Sequence, residues 1–192
     1  MSKKNIINLP ADSNQTRGLI EVARDMLSGK YGSPPESVLI RCQELWIDEL
    51  ASSLGGLTTH EIKALREIQL GFQVHDSLLE KVPTGYMLGS DVPIHASNAV
   101  YANVAVRRIL DTNPTIFGND QNTGANAGEF AHLEWMEVVL SACQQKSYNG
   151  KETLTAMAYY TQLHGTLCAH INLRQHAHDH VCLLYTSPSP RD

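Results

Sequence analysis

Aromatic residues make up only 6% of the 192 residues and charged ones only 18%. Neither scarcity excludes a folded body, because 42% of the chain is hydrophobic and a chain this long can bury roughly 70% of its unfolded surface. Cysteine is sparse as well. Cys42, Cys143, Cys168 and Cys182 stand far apart with no C-x-x-C pair, which excludes a disulfide framework and fits a reducing compartment. No run approaches the roughly 20 apolar residues that a membrane crossing needs, and the apolar stretch after Lys3-Lys4 is too short for a secretory signal. The expected location is the cytoplasm, with no membrane partner. Positive charge is not in excess either. The 15 Lys+Arg against 20 Asp+Glu give a net of -5, which argues against a dedicated duplex-DNA binder. The chain has no G-x-S-x-G elbow, no Walker loop and no G-x-G-x-x-G turn, so no catalytic residue is assigned.

The chain is rich in helix signals. Ser33-Pro34-Pro35-Glu36 has the form of a capping box, with Ser as N-cap and Glu at N3. Behind it Val38, Leu39, Cys42, Leu45, Trp46, Leu50, Ser53 and Leu54 recur at spacings of three and four until Gly55-Gly56, which is expected to end the helix. Thr58-Thr59-His60-Glu61 repeats the box ahead of Ile62, Leu65, Ile68 and Phe72. An earlier helix is expected from about Asn14 to Leu27, ended by Ser28-Gly29. Residues 83–93, with two prolines and two glycines, are expected to form a loop or hinge. Ser97 is expected to cap a helix from Asn98 to Leu110. A polar connection then spans 111–128, followed by two longer helices over about 127–146 and 152–175. The fold class this predicts is all-α: five or six helices in a bundle that ends in an antiparallel helix hairpin. The expected subdomains are 1–82 and 83–181, with the first three helices packed around Trp46.

Histidine supplies most of the candidate chemistry. Of nine in the chain, five lie between His164 and His180, and His176-Ala177-His178-Asp179-His180 alternates metal-ligand side chains. Read as a helix, Glu129-Phe130-Ala131-His132 sets a carboxylate and an imidazole on one face, with His164 or His170 opposite on the next helix. This E-x-x-H unit resembles the one that ferritin-like di-iron bundles carry. The resemblance implies a divalent transition metal held by Glu129, His132, His164 and His170, although the second E-x-x-H that such bundles require is absent. His75-Asp76 resembles the dyad of metal-dependent phosphohydrolases in two residues only. For nucleic acid, the usable cations are Lys3, Lys4, Arg17, Arg24, Lys30 and Arg107-Arg108, diluted by Asp12, Glu21 and Asp25.

Two further resemblances concern origin. Trp46, Leu50, Leu54, Leu57-Thr58, Glu61-Ile62 and Ala64-Leu65 resemble a helix-turn-helix pattern of phage replication accessory and helicase-loader proteins, which implies a phage or mobile-element source. Cys182 to Asp192 is similar, residue for residue, to the in-frame translation of a transposon-end sequencing adapter. That implies that 182–192 is not native and that the native sequence is lost beyond about Val181. The leading expectation is a non-catalytic helical accessory or interaction protein with a protein partner and no cofactor. The alternatives are a metal-binding helical protein of di-iron type and a replication-associated nucleic-acid binder.

Overall fold

The computed structural model describes residues 15–112, 114–119, 126–132 and 135–170. Most of them are helical: α1 (Gln15–Leu27), α2 (Glu36–Gly56), α3 (His60–Leu70), α4 (Ala96–Arg108), α5 (Met136–Gln145) and α6 (Gly150–His170). Two antiparallel hairpins accompany them, β1 (Thr84–Tyr86) with β2 (Pro93–His95), and β3 (Thr115–Asn119) with β4 (Asn126–His132). The chain forms two compact units, one ending at Ser33 and the other beginning at Pro34. The His176–His180 tract and the adapter-like residues 182–192 lie outside the described residues.

In the first unit, α1 places Leu19, Ile20, Ala23, Met26 and Leu27 on one side and Arg17, Glu21, Arg24 and Asp25 on the other. Gly29 ends it at a φ of 78°, a conformation that costs glycine little. Across that turn Lys30 Nζ donates to Asp25 Oδ2 at 2.5 Å. This hydrogen bond holds the Asp25 carboxyl below its usual range and lifts the Lys30 ammonium above its own.

In the second unit α4 is the hub, packing against α2, α3, α5 and the β1–β2 hairpin, while α6 packs against α2, α5 and the β3–β4 hairpin. The core is divided into small clusters. Met87 and Ile94 pack with Ala99 and Ala102, Leu39 and Cys42 with Ala158, and Trp135, Met136 and Met157 with Leu45, Trp46 and Leu154. Trp46 therefore joins α2 to α5 and α6. Gly85 lets β1 lie flat on α4, because a Cβ there would stand 3.0 Å from Ala99 Cβ.

Several local expectations are corrected. Ser33 does not cap α2; the N-cap is Pro35, with no side-chain cap bond. Gly55 and Gly56 belong to the last turn of α2 and do not end it. Thr58 and Thr59 donate to the Gly55 and Gly56 carbonyls at 2.8 and 2.9 Å. They thus close the end of α2, and the N-cap Thr59 makes no side-chain bond to α3. Helix α4 starts at Ala96 behind His95, two residues before the expected start at Asn98, and Ser97 Oγ lies 2.9 Å from His95 Nδ1. The expected hinge at 83–93 is instead largely the β1–β2 hairpin. The expected helix from 127 is strand β4 as far as His132, and helix begins only at Met136. Here Thr115-Ile116-Phe117 brings β-branched and aromatic residues opposite Glu129-Phe130-Ala131-His132, and the register shifts twice along the pair.

Among the described residues, one cap is reciprocal, a box at the start of α6. Asn149 Oδ1 accepts from Glu152 N–H at 3.0 Å, and Glu152 Oε2 accepts from Asn149 N–H at 2.8 Å, which starts α6. Asn149→Ala is expected to destabilise the fold by about 1 kcal/mol, measured as a shift in the urea midpoint; an unchanged midpoint would show that the cap contributes nothing.

Candidate functional site

The most polar place in the second unit is also the most deeply buried. Asn103 and Arg107 stand four apart on α4 and so share a face, toward which α2 brings Glu49 and the first turn of α5 brings Glu137. Arg107 is 1% exposed and Glu49 0%. Arg107 Nη1 donates to Glu49 Oε2 at 3.1 Å and Nη2 donates to Glu137 Oε1. Asn103 Nδ2 donates to Glu137 Oε2 at 2.9 Å and to the Tyr86 carbonyl at 3.1 Å, while its Oδ1 accepts from Leu88 N–H at 2.8 Å. The guanidinium carbon lies 4.7 Å from the centre of the Trp46 ring, within range of a cation–π contact. One fork thus engages two carboxylates and ties together α2, α4, α5 and the end of β1. This is an intramolecular strut. Arg107, counted above among the cations available to nucleic acid, is buried and cannot reach a phosphate.

A second cluster is aromatic. Trp135 and Tyr160 stack with ring centres 4.4 Å apart, and the His164 imidazole stands edge-on to both at 6.0 Å. Burial pushes the Tyr160 hydroxyl up from its usual range. His164 is buried and packed among rings.

The four residues expected to bind metal fall on two elements. Glu129 and His132 are on strand β4, so the helical i, i+3 argument that grouped them does not apply. His164 and His170 are on α6. Strand β4 packs on α6, which brings the two pairs onto neighbouring elements. The side chains of Glu129, His132 and His170 are outside those described. Among the described residues, no three His, Cys, Asp or Glu side chains gather closely enough to hold a metal ion. His75 serves locally, its Nδ1 accepting from Ser77 N–H at 3.3 Å.

An open cleft of about 590 Å³ runs past residues 79–84, Tyr86, Gln144 and Gln145. Its ionisable and hydroxyl groups are Glu80, Lys81, Thr84 and Tyr86, and no histidine, cysteine or serine lines it. Cys42 and Cys143 are buried reduced thiols, and burial raises both above the usual thiol range. Since the thiolate is the reactive form, alkylation by iodoacetamide at pH 8 is expected to be slow at both positions and fast after unfolding in urea. Peptide mass mapping reads this directly, and rapid native labelling of either would contradict the packing.

Apolar side chains also lie on the surface. Among the described residues, fifteen hydrophobic residues form the buried core, four of them alanines, and 21 large hydrophobic residues are at least 37% exposed. The longest ordered series is on α2, where Ile40, Ile47 and Leu54 are 49, 59 and 64% exposed at a spacing of seven residues. Of the apolar stripe expected on α2, Ser53 is buried but Val38 and Leu54 are exposed. No family model, no curated protein and no solved structure matches this chain.

Proposed function

We propose that this protein is a non-catalytic helical accessory or interaction protein of the cytoplasm. The observation that carries the reading is the excess of exposed large apolar side chains over the buried core. Exposed apolar side chains that line up on one helix face, as Ile40, Ile47 and Leu54 do on α2, mark protein-binding faces where they form a patch. Its strongest ionic cluster points the same way, because Arg107, Glu49 and Glu137 are consumed in holding helices together. In this reading α5 and α6 form an antiparallel hairpin that backs the α2–α4 pair. The test is the mass of the full chain purified from its cells of origin, by light scattering on the native complex. A particle heavier than one chain supports an interaction role, and a lone monomer argues against it.

A second reading, a metal-binding helical protein, has one observation in its favour. Strand β4 with Glu129 and His132 packs on α6 with His164 and His170. Elemental analysis after dialysis separates the two readings. Stoichiometric iron or zinc that His132→Ala removes supports the metal site, and its absence from both forms supports the first reading.

A further inference from the structure

We infer that the exposed face of α2 is a docking surface for an amphipathic helix of another protein, one with apolar residues at heptad spacing and lysine or arginine along its flank. This deepens the interaction reading above and rests on it. Residues seven apart return to nearly the same side of a helix, so Ile40, Ile47 and Leu54 form a seam of about 21 Å, two heptads long. All three point to water, while the opposite side of the same helix packs through Leu39, Cys42 and Glu49. These three supply one of the two alternating apolar positions that a helix pair uses, and half-buried Leu50 stands at the other between Ile47 and Leu54, so a second helix can pack along the seam knobs into holes.

The charge beside the seam selects the partner. Glu36 stands at its head, and Glu44 and Asp48 fall about 60° and 100° round the helix from Ile47, along one flank. Arg41 is the one cation of α2 itself, and its Nη1 is bound to Glu44 at 2.8 Å. Three acids against one cation leave this side of α2 net negative, with Glu36 and Asp48 outside that pair. In an antiparallel pairing of two α2 helices the same flanks would meet, setting Glu44 and Asp48 against their own copies. A basic flank on a different helix meets opposite charge and excludes that mismatch.

The test uses the full chain and two synthetic 21-residue helical peptides with leucine at every a and d position. One carries lysine and the other glutamate at the flanking e and g positions. Fluorescence anisotropy at low salt is expected to show the lysine peptide binding at least about tenfold tighter than the glutamate peptide, with the preference shrinking toward 1 M salt as the Debye length falls to about 3 Å. Ile47→Ser is expected to weaken the lysine peptide at least about tenfold, with an unchanged melting curve because the side chain is exposed. Equal affinity for the two peptides, or indifference to Ile47→Ser, overturns the inference. So does a wild-type dimer that Ile47→Ser dissociates, since a second copy would then cover the seam. Any of these results leaves the interaction reading standing if the native chain still purifies in a heavier complex. That reading fails only if the native chain is a lone monomer.

Discussion

Arg107→Ala is expected to lower the stability of the fold by about 3–5 kcal/mol, the loss typical of removing one partner from a buried ionic network. The guanidinium stands between Glu49 and Glu137, both buried, and bonds both. Without it two buried carboxylates lose the cation that they share. At about 2–4 °C per kcal/mol for a chain of this length, the melting temperature should fall by roughly 6–20 °C. Arg107→Lys is expected to recover only part of the loss, since an ammonium cannot present the two-pronged fork that reaches α2 and α5 together. A combined Glu49→Gln, Arg107→Met, Glu137→Gln variant should exceed Arg107→Ala in stability, because it leaves no uncompensated charge. Urea unfolding of the four proteins measures all of this. If Arg107→Ala cost less than about 1 kcal/mol, the network would not hold the helices together.

Gly56→Ala is expected to destabilise by about 1–3 kcal/mol, where the same change at an exposed helix position would stabilise by up to about 1 kcal/mol. The sign reverses because α2 meets α4 backbone to backbone at this point. A methyl on Gly56 would press into the Val106 carbonyl and stand 2.9 Å from Ile109 Cγ2. Gly55 gives the control. A methyl there meets only the tip of the Leu110 side chain, which can rotate away, so Gly55→Ala should cost much less. The difference between the two urea midpoints reads the α2–α4 contact, and equal effects would contradict it.

The helical periodicity placed α1, α2 and α3 to within a few residues, because their apolar spacing and breakers lie in the local sequence. Polar atoms with more than one use misled the caps. Thr58 and Thr59 precede a helix and follow another, and their hydroxyls go to the carbonyls behind them. Gly55-Gly56 has the composition of a helix stop, but its meaning is the approach of α4, which no local window contains. The β3–β4 hairpin was missed for a related reason. Glu129, His132 and Glu137 fall at helical spacing, whereas strand pairing depends on Thr115 to Asn119 across a polar connection.

The candidate site was less legible still. Glu49, Asn103, Arg107 and Glu137 are far apart in the chain, and Arg107-Arg108 has the form of an ordinary surface pair. The available signal was negative: Glu49 and Arg107 interrupt the buried faces of their helices, so each needs a partner of opposite charge. The exposed seam on α2 was hidden inside a correct helix. The apolar pattern is broad enough for two faces, and only tertiary packing decides which one meets water.

The most direct measurement is the native mass of the full 21.2 kDa chain and of Ile47→Ser, each purified without cross-linker from the cells of origin and read by size exclusion with multi-angle light scattering. The wild-type chain should elute in a complex clearly heavier than itself, and Ile47→Ser should elute largely alone with its melting curve intact. If both proteins elute as monomers of one chain, the exposed apolar surface has no partner and the interaction reading is wrong.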